Sequence, residues 1–229
     1  MFRKIFRILL IMLVWFTGLS VLSVIIFRFV PVPFTPLMIS RCVEQLFTGK
    51  KIHLYKDWKD LSQISATMPL AVIAAEDQKF EEHFGFDFEA IRKAEKFNAV
   101  HKGRKLKGAS TISQQASKNV FLWPSRSWIR KGFEVYFTLL MEIFWSKDRI
   151  MEVYLNVIET GDGIYGVEAA AQSYFHKPAS RLSSRDAALI AAVLPNPRKW
   201  SPAKPTSYIQ RRAASIVRFM SRLQTEDFK

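Results

Sequence analysis

The sequence has little cysteine, little acid and no strand-like alternation. Cys42 is the only cysteine in 229 residues, so no intramolecular disulfide can form and cysteine usage leaves the compartment open. Acidic residues number 20 against 34 Lys plus Arg, a net charge of +14 that calls for a partner: nucleic acid, an anionic membrane surface or a phosphate-bearing substrate. No acid at all occurs in "HKGRKLKGASTISQQASKNVFLWPSRSWIRK", His101 to Lys131, where eight Lys or Arg concentrate the excess. Zinc-ligand spacing, an RNA-recognition signature and a basic zipper are all missing, which leaves nucleic acid poorly supported. There is no internal repeat and no convincing two-residue apolar period. What is present in quantity is aromatic residues, 19 Phe and 6 Trp, enough for a folded core.

One run lacks charge altogether. "ILLIMLVWFTGLSVLSVIIF", Ile8 to Phe27, is twenty residues long and as a helix covers roughly 30 Å, a full hydrocarbon span. A cleaved signal would have an apolar region of about 7 to 15 residues ending at small residues; Arg28 followed by "FVPVPFTP" fits an uncleaved anchor better. Arg3, Lys4 and Arg7 ahead of the span favour a cytoplasmic N-terminus, although Arg28, Arg41, Lys50 and Lys51 beyond it weaken the asymmetry. The expected organisation is a cytoplasmic tail 1–7, an anchor 8–27, a membrane-proximal connector 28–60 and a folded domain 61–225 facing out. Three prolines in "PVPFTPLMIS" make the start of that connector semi-rigid.

Beyond about residue 60 the pattern predicts an all-α domain. Pro69 suits the first turn of a helix through "PLAVIAAEDQKFEEHF" with Gly85 as its stop. Asp87 caps the next, and Thr111 with Gln114 forms a capping-box pattern. Ser127, Ser146 and Ser183 with Asp186 open three more, the last ended by Pro195. Two motif matches carry no weight. "GDGIYG", Gly161 to Gly166, follows a helix rather than a strand and reads as a glycine-rich turn. "SPAK", Ser201 to Lys204, contains proline and has no K-T-G downstream.

Three windows hold residue types that suit chemistry. Glu76, Phe80 and His83 are spaced i, i+4, i+7, one face of a helix that runs regularly to His83, and a carboxylate there suits a general base. On its own the acidic pair Glu76 and Asp77 reads more simply as a solvated helix end, and with His83 it matches no strong metal-ligand spacing. Thr111, Gln115 and Lys118 repeat the same spacing, and free N–H groups at Ser110 and Thr111 suit an anion such as a phosphate. "RKGFE", Arg130 to Glu134, places an opposite-charge pair four residues apart.

Together "EDQKFEEHFGFD", "GASTISQQASKN", "RKGFE", "KDRIMEVYLN" and "GDGIYGVEAAAQSYFHK" resemble, in order and spacing, the five signature blocks of the peptidoglycan glycosyltransferases. The resemblance runs from about Leu70 to Pro202 and is greatest to the monofunctional, single-anchor members of Gram-negative bacteria. Departures are slight: Met151 stands where leucine is usual, and Asp186 where the late helix commonly has Glu.

The resemblance implies a lysozyme-like helical glycosyltransferase domain behind a single N-terminal transmembrane helix, in the bacterial inner membrane with the catalytic domain periplasmic. It implies lipid II and the growing glycan strand as substrates, joined by inverting transfer with loss of undecaprenyl diphosphate. Glu76 then matches the general base. Lys118 and Arg130 are the cations facing the diphosphate, and Ser110, Thr111, Gln115 and Asn119 its neighbouring donors. Glu134 stands across the cleft, orienting Arg130 or a divalent ion, while Asp77, Phe80 and His83 support the Glu76 segment. No cofactor is required, and a divalent cation, Mg or Mn, is admitted near the diphosphate. The partners implied are membrane lipid and proteins of cell-wall synthesis or division. "FLW", Phe121 to Trp123, belongs to the membrane interface or to the core. Two other classes compete: a lysozyme-like glycan hydrolase or lytic enzyme, and a non-catalytic membrane-bound scaffold.

Overall fold

The computed structural model describes residues 2–101, 108–125 and 127–226. Lys102, Arg104, Lys105, Lys107 and Arg126 of the basic run lie outside the described residues. Helix α1, Phe2–Phe29, contains the whole apolar run and exposes most of it. It is the one helix among the described residues long and apolar enough to cross a membrane.

Pro31 and Pro33 lie in a short irregular stretch after α1, and Pro36 opens a helix. Thr35 takes an extended conformation and its hydroxyl accepts from the Met38 N–H, so Pro36 falls at the first position of α2, Pro36–Phe47. That is the one helical site where a missing N–H costs nothing. Gln45 then closes the following loop, donating to the His53 carbonyl oxygen and accepting from the His53 N–H.

The remaining helices are α3 (Thr67–Glu76), α4 (Phe88–Val100), α5 (Ile112–Phe121), α6 (Trp128–Phe144), α7 (Lys147–Val157), α8 (Val167–Phe175), α9 (Ser184–Val193) and α10 (Ser207–Glu226). The side chains of Asp87, Thr111, Ser127, Ser146 and Ser183 cap α4, α5, α6, α7 and α9 as their residue types require. Two packed groups result. Helix α9 is buried from Ala187 to Val193, and its alanines let α3 and α10 close on it. Helix α5, equally buried, lies between α6 and α7.

Helix α3 stops at Glu76, well short of His83, so Glu76, Phe80 and His83 do not form one helical face. Asp77 departs from helical geometry (φ −158°, ψ 80°) because its carboxylate is drawn to groups outside the helix. A small sheet was also missed. β1 (Tyr55–Lys56) pairs parallel with β3 (Ile164–Tyr165), which pairs antiparallel with β2 (Glu159–Gly161). Its hairpin turns at Asp162-Gly163, a dipeptide favoured in tight turns, with Gly163 at φ +73°.

The end of α1 is held to the helical domain. The Trp145 Nε1–H donates to the Val24 carbonyl oxygen at 2.8 Å, and Arg149 Nη2 donates to those of Phe27 and Val30 at 2.8 and 2.7 Å. The Phe27 carbonyl is one that a helix C-terminus leaves unpaired, and Arg149 satisfies it, whereas Trp145 adds a donor to a carbonyl within the last two turns. One turn earlier, Ser20 and Tyr136 share a hydrogen bond of 2.6 Å, so α1 runs beside α6.

Candidate active site

Glu76 is the last residue of α3 and points between α5 and α10. Gln115 Nε2 donates to its Oε2 at 3.0 Å, and Arg212 Nη2 donates to its Oε1 at 3.4 Å. Burial pushes the carboxyl above the usual range, outweighing the Gln115 hydrogen bond, the Arg212 charge and the more distant Lys118 charge. The group is thus a stronger base than a solvated glutamate.

Asp77 performs a different task. Its carboxylate accepts from His83 Nε2 at 2.9 and 3.0 Å and from the Ile112 N–H at 3.0 Å. A carboxylate only accepts, so His83 carries its proton on Nε2. The chain between α3 and α5 is stitched further by Thr111 Oγ1 donating to the Gly85 carbonyl oxygen and Lys147 Nζ donating to that of His83. Phe80 is buried beneath Lys147, whose ammonium lies 4.7 Å from the ring centroid. Asp77, Phe80 and His83 thus tie the segment after α3 to α5 and to Lys147.

The start of α5 is not a free anion site. The Thr111 N–H donates to Gln114 Oε1, the Ile112 N–H to Asp77, and the Gln114 N–H to Thr111 Oγ1. Thr111 is buried with its hydroxyl committed to Gly85, whereas Ser110 is exposed ahead of the cap. A capping box satisfies the very donors that a phosphate would need. The cationic and amide side chains that face open space lie further along the helix. Lys118, Asn119 and the Gln115 side chain line a cleft of about 380 Å³ with Arg130. Burial lowers the Lys118 pKa, opposed by the Glu134 charge and reinforced by Arg130.

Glu134 is buried on α6 and binds two cations, Arg130 Nη1 to Oε2 at 2.8 Å and Lys131 Nζ to Oε1. The pair predicted by spacing forms, and it holds Arg130 against the cleft. Both carboxylate oxygens are engaged, and no three His, Cys, Asp or Glu converge among the described residues. Glu134 thus offers a divalent cation no oxygen free of an ion pair.

Four residues at the site escaped the sequence reading: Arg41 from α2, Tyr154 from α7, Glu159 from β2 and Arg212 from α10. Arg41 and Glu159 form a 3.4 Å ion pair at the cleft wall. Burial raises the Glu159 carboxyl and holds the Tyr154 phenol far above its ordinary value, so Tyr154 stays protonated. Tyr154 lay within a quoted block, but nothing marked it as polar machinery. Phe121 and Leu122 pack inward, Phe121 stacked on Phe137 at 4.5 Å, and only Trp123 of the "FLW" run is exposed.

The amino-acid sequence matches a named family. A family model described as Transglycosylase matches residues 44–221. A biosynthetic peptidoglycan transglycosylase of Bacteroides thetaiotaomicron is 53% identical over 219 residues, 96% of this chain and 88% of that relative. One of Pseudomonas syringae pv. syringae is 50% identical over 228 residues, 100% of this chain and 96% of the relative. One of Bdellovibrio bacteriovorus is 54% identical over 194 residues, 85% and 77% of the two chains. The chain belongs to the transglycosylase family. It is an enzyme of the glycosyltransferase class that acts in peptidoglycan synthesis.

Proposed function

We propose that the protein polymerises lipid II into β-1,4-linked glycan strands and releases undecaprenyl diphosphate. The 4-hydroxyl oxygen of an incoming lipid II attacks the anomeric carbon at the reducing end of the growing glycan. Glu76 takes the hydroxyl proton as the new C–O bond forms, a contribution of about 10² to 10⁴ in rate. The bond to the diphosphate breaks on the opposite face, so the α-linkage becomes β. Lys118 and Arg130 stabilise the charge that collects on the departing diphosphate, with Asn119 and Ser110 as neighbouring donors. Glu134 and Lys131 keep Arg130 in place.

The observation that carries this reading is a single helix, α5. Its Gln115 holds the carboxylate and its Lys118, three residues on, faces the cleft that Arg130 also lines. A base and an anion site are thereby set side by side, which a transferase that expels diphosphate needs and a hydrolase does not. The anchor supports the same reading, because α1 is bonded to α6 and α7 and would hold the cleft beside the bilayer where a lipid-linked substrate resides. We place the N-terminus in the cytoplasm, the catalytic domain in the periplasm and the span in the inner membrane. Proteins of cell-wall synthesis or division are its proposed neighbours. No step is routed through a metal ion.

Purified protein incubated with lipid II should yield long glycan. Glu76→Gln should abolish the product while the fold persists, and Lys118→Ala should slow it about 10²-fold. Substantial polymerisation by Glu76→Gln would remove Glu76 as the base. Shortening of finished glycan without elongation of lipid II would assign a hydrolase instead.

A further inference from the structure

Glu76 is gripped from two directions, by Gln115 of α5 and by Arg212 of α10. On one side Gln115 offers an amide with a donor end and an acceptor end. The Tyr154 hydroxyl donates to Gln115 Oε1 at 3.4 Å, and the buried phenol remains protonated. Gln115 must therefore turn its oxygen to Tyr154 and its NH2 to Glu76, so the amide is presented as a donor. On the other side stands Arg212, 136 residues away in sequence. Its guanidinium reaches Glu76 Oε1 because α10 packs on both α3 and α9.

We infer that Arg212 is a positioning residue for the transfer reaction: it keeps the Glu76 carboxylate ionised and aimed, as the counterpart of the Tyr154–Gln115 arm. The inference rests on Glu76 being the base. The groups facing Glu76 define what each arm does. Asp77, next in the chain, disfavours ionisation; Gln115 and Lys118 from α5 and Arg212 from α10 favour it. Tyr154 from α7 is neutral, and α9 turns a buried apolar stretch towards α3. Burial is the largest influence on Glu76 and opposes ionisation, so the base is poised against its own desolvation. Arg212 supplies the nearest full positive charge among the described residues.

Its geometry suits support rather than substrate binding. Arg212 contacts one oxygen and Gln115 the other. A carboxylate has about four lone-pair positions, so each oxygen keeps a lone pair beyond the one its present donor uses. Arg212 Nε is buried without a hydrogen-bond partner, and Glu76 is the one carboxylate that the guanidinium meets among the described residues. Nor does Arg212 line the cleft with Lys118 and Arg130. Loss of its charge should therefore act on the proton rather than on the diphosphate.

The test compares wild type, Arg212→Gln and Arg212→Lys in full-length protein, measuring lipid II polymerisation across pH at saturating and limiting substrate. Removing an opposite charge at this distance raises a carboxyl pKa, so the acid limb of the kcat profile in Arg212→Gln should move up by about 1 pH unit. Arg212→Lys, which keeps the charge, should restore most of that shift, and KM should change less than kcat. A second readout needs no activity: the protonated-carboxyl infrared band of Glu76, isolated by difference from Glu76→Gln, should titrate at higher pH in Arg212→Gln. An unmoved acid limb and an unmoved band would overturn the inference, as would a rise in KM that is uniform across pH. The two readings separate cleanly. If Glu76→Gln still polymerises, the base assignment fails even where the infrared shift is found; if Glu76→Gln is inert and Arg212→Gln keeps the wild-type profile, only the Arg212 role fails.

Discussion

Replacing Asp77 by alanine takes the acceptor from two buried donors at once. His83 Nε2 and the Ile112 N–H both lose their partner, and neither is placed to find water, since Ile112 is fully buried and the His83 side chain is 9% exposed. Hydrogen bonds to a charged group contribute about 1.5 to 3 kcal/mol each, and a carboxylate at a helix N-terminus adds about 0.3 to 1 kcal/mol. Allowing for local relaxation, the domain should lose about 3 kcal/mol. For a domain of this size that is a fall of roughly 6 to 12 °C in Tm. Tryptophan fluorescence during heating in detergent would follow it. The same change frees the end of α3 from the start of α5, so Glu76 is no longer held in register with Gln115. A displacement near 1 Å costs about 10²-fold in rate, measured with lipid II at a temperature where the variant remains folded. Asp77→Asn keeps an oxygen for the Ile112 N–H and should lose about half as much stability. If Asp77→Ala melts within 2 °C of wild type, or polymerises at the wild-type rate, the tether described here does not exist in solution.

Two further outcomes concern stability. Because burial raises the Glu76 pKa in the folded state, the stabilisation linked to its protonation is complete below the ordinary glutamate pKa and lost as pH rises through the folded value. At neutral pH the buried charge is a cost, so Glu76→Gln should be more stable than wild type by about 0.5 to 2 kcal/mol. The difference should shrink as pH falls towards about 4, and a constant difference across that range would contradict the assignment of burial as the cause. Gly163→Ala places a Cβ at φ +73° against the His53 carbonyl. It should cost about 2 kcal/mol and loosen the β1–β3–β2 sheet, with a wild-type melting curve as the refuting result.

Much of the local structure was legible because its causes are local. A side-chain oxygen ahead of an apolar run satisfies N–H groups within three residues of itself, so every predicted cap formed where its Ser, Thr or Asp stood. The apolar run of α1 and the Arg130–Glu134 pair are of the same kind. The Asp162-Gly163 turn was legible too, but the strands it joins are too short to show a period.

The errors share one origin, which is that long-range partners override short-range spacing. Helical periodicity carried Glu76, Phe80 and His83 onto one face, yet Asp77 leaves the helix to meet an N–H 35 residues away. A capped helix start resembled a phosphate cradle until Gln114 and Asp77 were found to occupy its donors. Arg212 could not be anticipated, for it stands in a plain basic helix beyond the signature blocks.

By itself, then, the sequence determined the apolar helix long enough to span a membrane, the capped helices, and the family with its candidate base and cations. Each of these depends on residues near one another in the chain or on an ordered set of motifs. Only the tertiary structure decided which donors remain free, that α3 stops at Glu76 while Asp77 turns to His83 and the Ile112 N–H, and that α10 reaches Glu76. A hydrogen bond uses up its donor, and which partner uses it depends on distances that folding alone creates.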